Sequence, residues 1–301
     1  MKLLTSKVGF ENVLPMRLAL IFASLLLGTF RLCASEPKYV PDVTRWQAVD
    51  VPSALDRGAR MVWSFAANYS NLNWRVFTKD GEVRARLSSE APDIGRQQLS
   101  FAPEAGKFSR ASATAAVDDG WLVGFNQGEF GGALYWFSRD GKRSYPISDD
   151  QIVDFFSRAD GIYAIEGLAH LGGSRGSVLR ISRPKEGAPW HAQSVAALPS
   201  APYAVAVLRD GTAVITLSYS LVSVGTDLKV KILYPDAPWG ELFPSSSVLA
   251  ADEQKLYIGM RQFVGEFDFK TNTLRCLIPS DQFLNRLSKE EEARIRQQFG
   301  S

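Results

Sequence analysis

The chain has 301 residues, 46% hydrophobic and 22% charged, with 34 Lys and Arg against 32 Asp and Glu. This is an ordinary globular balance, which excludes a disordered or low-complexity chain, and the length allows one large domain or two small ones. Two cysteines (Cys33, Cys276) and two histidines (His170, His191) are too few for a Cys-rich zinc site or a His-rich metal centre.

Residues 1–35 read as a secretory signal. Leu18 to Phe30 is an uncharged apolar run, preceded by Lys2, Lys7 and Arg17 and followed by the small residues Cys33, Ala34 and Ser35. As a helix the run spans about 20 Å, short of the roughly 30 Å bilayer core, and Arg31 blocks its extension, so a transmembrane anchor is the weaker reading. Met16-Arg17 offers a tidier start than Met1. Cys33 raises a lipid-anchored envelope protein as an alternative, although Arg31 and Leu32 fit the small-residue lipobox badly. The signal holds four basic residues and one acid, Glu11, so the remainder is near neutral with one acid in excess. It shows no concentrated basic cluster of the kind nucleic acid requires. The expected product is exported, periplasmic or extracellular, with no nucleic-acid partner and no transmembrane helix in its mature part. Cys276 then has no internal disulfide partner and reads as a small buried hydrophobe.

Residues 36–280 read as one all-β domain. "RWQAVDV" (45–51) is an extra strand that could join the last repeat to the first. An N-terminal group of four runs follows: "RMVWSFA" (60–66), "LNWRVFT" (72–78), "EVRARLS" (82–88) and "QLSFAP" (98–103). Four clearer groups occupy 111–148, 151–198, 203–234 and 247–279, each with four short runs rich in Val, Ile, Leu and aromatics. Asp-Gly pairs at 80–81, 119–120, 140–141, 160–161 and 210–211 supply hairpin turns of the type that needs positive φ at both central residues. No long helical period interrupts residues 60–278, which argues against alternating βα units. The third-strand positions Phe137, Ile181, Val224 and Phe267 are spaced by 44, 43 and 43 residues.

A repeated four-stranded meander of about 40–50 residues resembles the β-propeller superfamily in period and pattern. The resemblance covers roughly residues 45–280 and no specific family, because the Gly-His and Trp-Asp signatures of WD40 repeats are absent at the right spacing. It implies five four-stranded blades, or six if the N-terminal segment hides a degenerate one. A two-sheet sandwich is the competing fold. Residues 281–301 form a C-terminal helical extension: Ser288 and Glu291 make a capping box, and Glu290–Arg294 and Glu292–Arg296 are at i,i+4 spacing, placing a helix near 289–299 with a shorter turn over 281–287.

The search for chemistry yields little. Gly172-Gly173-Ser174-Arg175-Gly176 matches the nucleophile elbow G-x-S-x-G, but the run after it reads as a strand where the elbow needs a helix, so a flexible hairpin loop explains it better. No cofactor is expected. Calcium is the remaining metal option, with Asp118-Asp119 and Asp149-Asp150 as candidates against their plainer reading as turn acids. Asn68-Tyr69-Ser70 is a glycosylation sequon, relevant only in a eukaryotic secretory pathway. Trp190 and Trp239 read as packing aromatics.

In a propeller the second-to-third and fourth-to-next-first connections share one end of the ring, where ligands of this architecture bind. The second-to-third loops carry Asn68, Tyr69, Asn126, Glu129, His170, Arg175, Tyr219 and Arg261, the candidate ligand-binding residues, each weighed against being a solvated loop tip. The expected function is a non-catalytic binding or interaction module for a protein or small-molecule ligand at this face. The alternative is a propeller enzyme, lyase or hydrolase, using acids and His170 at the channel mouth.

Overall fold

A strand such as Ala213–Leu217, buried along its whole length, needs cover on both faces of its sheet. The structure, a computed structural model, describes residues 39–89 and 99–299, within the unit Pro37–Ser301; the signal segment 1–35, including Cys33, lies outside the described residues. In chain order come β1 (Gln47–Val49), α1 (Arg57–Asn68), β2 (Trp74–Lys79) and β3 (Glu82–Leu87). The first complete meander is β4 (Ala113–Val117), β5 (Gly120–Asn126), β6 (Gly132–Ser138) and β7 (Ser144–Ser148). The second is β8 (Ile152–Arg158), β9 (Gly161–His170), β10 (Gly173–Ser182) and β11 (His191–Leu198). The third is β12 (Pro202–Val207), β13 (Ala213–Leu217), β14 (Leu221–Val224) and β15 (Val230–Tyr234). The fourth is β16 (Ser246–Leu249), β17 (Lys255–Gly259), β18 (Val264–Asp268) and β19 (Thr273–Ile278), followed by α2 (Lys289–Phe299).

The described strands form five sheets: β2–β3, the three four-stranded meanders, and a last sheet that β1 extends to five strands by pairing with β19, Ala48 opposite Leu277. The first strands make a continuous inner wall, with β4 against β8, β8 against β12, β12 against β16 and β16 against β2. A meander inside this row therefore packs its two faces on two different neighbours. Phe156, Ile165 and Val178 of the second meet Ile215 and Val222 of the third. On the other face of the third, Val214 and Leu221 meet Leu256, Ile258 and Phe267 of the fourth. This is a β-propeller, and the alternating partners overturn the two-sheet sandwich. Phe137, Ile181, Val224 and Phe267 all fall in third strands, as their spacing predicts.

The N-terminal quarter differs from expectation. "RMVWSFA" is not a strand but the middle of α1: the Asp56 side chain caps the helix by accepting from the Ala59 backbone N–H at 2.8 Å, and Trp63 stacks on Phe263 with ring centroids 5.1 Å apart. Residues 99–103 are also not a strand. The irregular stretch 99–111 lays Leu99, Phe101 and Phe108 on Val123, Phe125 and Phe137, covering the face of the first meander that has no sheet beside it in the chain of inner-strand contacts. Residues 39–49 stitch the ends together: the Ala85 N–H donates to Pro41 O, Asp42 bridges Arg84, and β1 pairs with β19. Beneath this stitch Trp46 and Trp74 meet edge-on at 4.7 Å.

The Asp-Gly turns are less uniform than their sequence. Only Asp80-Gly81 has both residues at positive φ (54° and 80°); at 140–141, 160–161 and 210–211 the glycine alone does, and Gly120 is an ordinary strand residue. Around the far end from the loop face, arginines fasten neighbouring sheets. Arg158 donates to the Val224 and Gly225 carbonyls, Arg183 pairs with Asp118 and Asp119, and Arg209 with Glu253. Cys276 is fully buried, and burial pushes its thiol up to about 12. At the C-terminus the capping box forms as read: Ser288 Oγ accepts from the Glu291 N–H, and Glu291 accepts from Ser288. α2 packs on α1, Phe299 lying 6.0 Å from Phe65.

Two outcomes follow from this packing. Trp46→Ala should cost about 3–5 kcal/mol by the usual penalty for deleting a buried Trp, read as a lower denaturation midpoint in guanidinium chloride; a loss below about 1 kcal/mol would show that the stitch does not hold the unit together. The second concerns Glu266. Burial pushes its carboxyl up, but hydrogen bonds from Arg275 and Tyr257 and the charges of Arg275 and Lys255 more than offset this and hold it below the ordinary carboxylate value. A depressed carboxyl stabilises the fold above its unfolded value of about 4.3 and loses that contribution as pH falls through the folded value. Glu266→Gln should therefore destabilise at pH 7, with the gap to the parent shrinking below pH about 4 in urea titrations.

Candidate functional site

The starts of the first strands and the ends of the second strands meet inside the inner wall in a cavity of about 730 Å³, within the usual range of small-molecule sites. Every sheet contributes in the same way. Arg75 is the second residue of β2, Ser112 precedes β4, Asp154 lies in β8, Tyr203 in β12, and Ser245 precedes β16. Arg110 stands at the entrance to β4, and Phe243 at the entrance to β16. The wall thus carries two guanidinium groups, one carboxylate and several neutral polar groups. Arg75 Nη2 donates to the Ser245 carbonyl at 3.4 Å. Burial pushes the Tyr203 phenol above its ordinary value, against a smaller lowering by its hydrogen bond with Ser218, so it enters the wall as a neutral hydroxyl.

The sheets come close enough to form this wall because glycines remove side chains at the seam. Gly167 and Gly176 face each other across β9 and β10, and a Cβ at either would lie about 2.6 and 2.5 Å from Pro202 Cδ. Asn126 also bridges sheets: its Nδ2 lies 3.4 Å from the Gly167 carbonyl and its Oδ1 accepts from the Gly128 N–H at 3.0 Å.

Of the eight residues expected at the site, Asn126 lines this cavity. The others sit on the same loop face outside the lining. His170 Nε2 lies 3.0 Å from Glu129 Oε2. Arg175 donates to buried Glu166 at 3.2 Å and to Gln151 at 2.8 Å. Arg261 donates to the Asn68 carbonyl at 2.9 Å and to its side chain, and lies over the Phe243 ring at 5.0 Å. Tyr69 and Tyr219 are exposed, Tyr69 beside a separate hollow shared with Ile295 of α2. The residues that sequence reasoning missed, Arg75, Arg110, Asp154, Tyr203 and Ser245, sit at or beside the starts of first strands. The topological rule that names second-to-third loops points equally to these fourth-to-first connections.

The G-x-S-x-G stretch is not a flexible loop but part of a regular hairpin. Leu171 and Gly172 make its two-residue turn at φ 47° and 80°, placing Ser174 within β10. Ser174 Oγ accepts from the Ala201 N–H at 2.8 Å and lies 3.2 Å from Ser218 Oγ, filling the seam with the next sheet. The acids at 118–119 serve Arg183, and Asp119 also accepts from the indoles of Trp136 and Trp190 at 3.0 and 3.2 Å. Asp149 and Asp150 lead into β8, the Asp150 carbonyl accepting from Ile152. Among the described residues no group of three or more His, Cys, Asp and Glu could hold a metal ion. Trp239 is fully buried and donates to the Leu217 carbonyl at 2.8 Å. No helix among the described residues is long and apolar enough to cross a membrane.

No protein-family model and no curated protein matches this chain. Solved structures similar to it include virginiamycin B lyase from Staphylococcus aureus, at 15% identity over 56% of this chain and 55% of that one with a TM-score of 0.37. A gluconolactonase from Xanthomonas campestris matches at 16% identity over 59% and 60% with a TM-score of 0.38. A nidogen–laminin complex matches at 10% over 57% and 66% with a TM-score of 0.39. The chain thus spans little more than half the length of the lyase.

Ser174→Ala should lower stability by about 1 kcal/mol, the ordinary worth of a seam hydrogen bond, and the parent should not react with a fluorophosphonate probe. Covalent labelling at Ser174 in a peptide digest would reinstate the nucleophile.

Proposed function

We propose that the chain is an exported, five-bladed propeller with a reduced N-terminal blade, acting outside the cytoplasm as a non-catalytic binding module. Its ligand sits in the cavity at the loop face. The observation that carries this reading is the convergence of polar side chains from every sheet, Arg75, Arg110, Asn126, Asp154 and Tyr203 among them, on one concavity of about 730 Å³. The candidate residues Asn68, Tyr69, Glu129, His170, Arg175, Tyr219 and Arg261 form its surround. Several already spend their polar groups on one another or on the scaffold, which suits a rigid rim better than a reacting centre.

The enzyme alternative, a lyase or hydrolase, draws on the Glu129–His170 pair, in which a carboxylate could orient an imidazole. That pair lies outside the cavity lining, so the binding reading is preferred. Calcium at Asp118-Asp119 is not part of the proposal, since both carboxylates serve Arg183.

Purified residues 36–301, screened by thermal shift against carboxylated and phosphorylated small molecules, should yield compounds that raise Tm. Arg110→Ala should weaken such binding at least about tenfold, as expected for a lost hydrogen bond to a charged group, without changing the Tm of the unliganded protein. Hits insensitive to cavity variants, or bound compounds recovered chemically altered in a His170-dependent way, would refute the binding-module reading.

A further inference from the structure

The two ends of the ring differ in the chemistry of their turns. Eight large apolar side chains are exposed among the described residues, and five of them, Tyr69, Phe130, Leu171, Tyr219 and Phe243, stand on connections at the loop face. Three successive meanders each place one at the tip of their second-to-third connection: Phe130, Leu171 and Tyr219. Leu171 is 91% exposed and Phe130 68%, values that no packing role within the chain explains. At the opposite end the first-to-second and third-to-fourth turns are built from residues such as Asp80-Gly81, Asp140-Gly141, Asp210-Gly211 and Asn272, and carry none of the eight.

The apolar tips are held in place rather than free. Phe130 sits in a short 3-10 turn whose carbonyl accepts from Lys107 Nζ at 2.8 Å. Leu171 occupies the first position of a tight two-residue turn. Phe243 is covered on one side by the Arg261 guanidinium. Large apolar groups exposed on the same face as a polar hollow offer anchors that a packed partner could cover.

We propose that this loop face docks a partner polypeptide whose acidic side chain enters the cavity while flanking apolar side chains rest on Phe130, Leu171 and Tyr219. The inference deepens the binding-module reading and rests on it. Charge complementarity selects the occupant, because the lining holds two guanidinium groups, Arg75 and Arg110, against the single carboxylate of Asp154. A bilayer surface fits less well: it is too flat to fill a hollow of this depth, and it would press Asp154 and Glu129 against lipid headgroups.

The test is selection of a displayed random dodecapeptide library on immobilised residues 36–301, with binding of the enriched peptides measured by fluorescence anisotropy. Enrichment of peptides with Asp or Glu flanked by apolar residues is expected. Their affinity should fall at least about tenfold in Phe130→Ser/Leu171→Ser and in Arg110→Ala, and stay unchanged in Ile232→Ser, which removes another exposed apolar side chain, on the outer strand β15. Enriched peptides without an acid, or peptides indifferent to the tip variants, would overturn the proposal. So would no peptide enrichment combined with co-sedimentation on phosphatidylglycerol vesicles. If small molecules occupy the cavity in an Arg110-dependent way while no peptide is enriched, the polypeptide proposal fails and the binding module stands. If the cavity variants affect no ligand of either kind, both fail.

Discussion

The fold depends on a burial requirement that no single meander can meet. Strands such as β13 carry apolar side chains on both faces, Val214 toward one neighbouring sheet and Ala213, Ile215 and Leu217 toward the other. Water would contact one face of any isolated sheet, and the apolar area involved makes that state unstable. Each sheet therefore fixes the position of the next, and the arginines at the far end pin the spacing. The requirement also explains the irregular residues 99–111: the first meander has an apolar face with no sheet against it in the run of inner-strand contacts, and Leu99, Phe101 and Phe108 cover it.

The candidate site follows from the same geometry. Because the sheets alternate direction strand by strand, every first strand starts at the same end, and their starting residues meet around one hollow. The wall is assembled from positions distant in sequence, Arg75 and Ser245 among them, which touch at 3.4 Å. Glycines at 167 and 176 let Pro202 approach. The hollow is thus a consequence of the side-by-side packing of the first strands, and its chemistry is set by whichever residues open them.

Much of the fold was legible in the sequence. Alternating short apolar runs and the recurrence of Phe137, Ile181, Val224 and Phe267 reveal the meanders, because the period is imposed by the same four-strand unit each time. In the N-terminal quarter the strands at 47–49, 74–79 and 82–87 were legible, but the runs at 60–66 and 98–103 were not. "RMVWSFA" has a strand-like apolar density, and its helix depends on the Asp56 cap and on the Phe263 ring, a contact that Trp63 makes across 200 residues. The site was legible in part. Topology points to the end of the ring where the cavity lies, and Asn126 lines it, but the lining comes mainly from strand starts, and nothing local in "RASATAAV" or "APYAVAV" distinguishes Arg110 or Tyr203 as wall residues. Ser174 shows the converse, a motif match whose hydroxyl serves a seam.

The pairing of β1 with β19 has a consequence for biogenesis. Residues 47–49 leave the ribosome among the first of the unit, yet their partners at 276–278 are among the last. No intermediate length of nascent chain can fasten the ring, and contacts of such wide sequence separation form slowly. The polypeptide consequently stays unlatched until its last strand has been made.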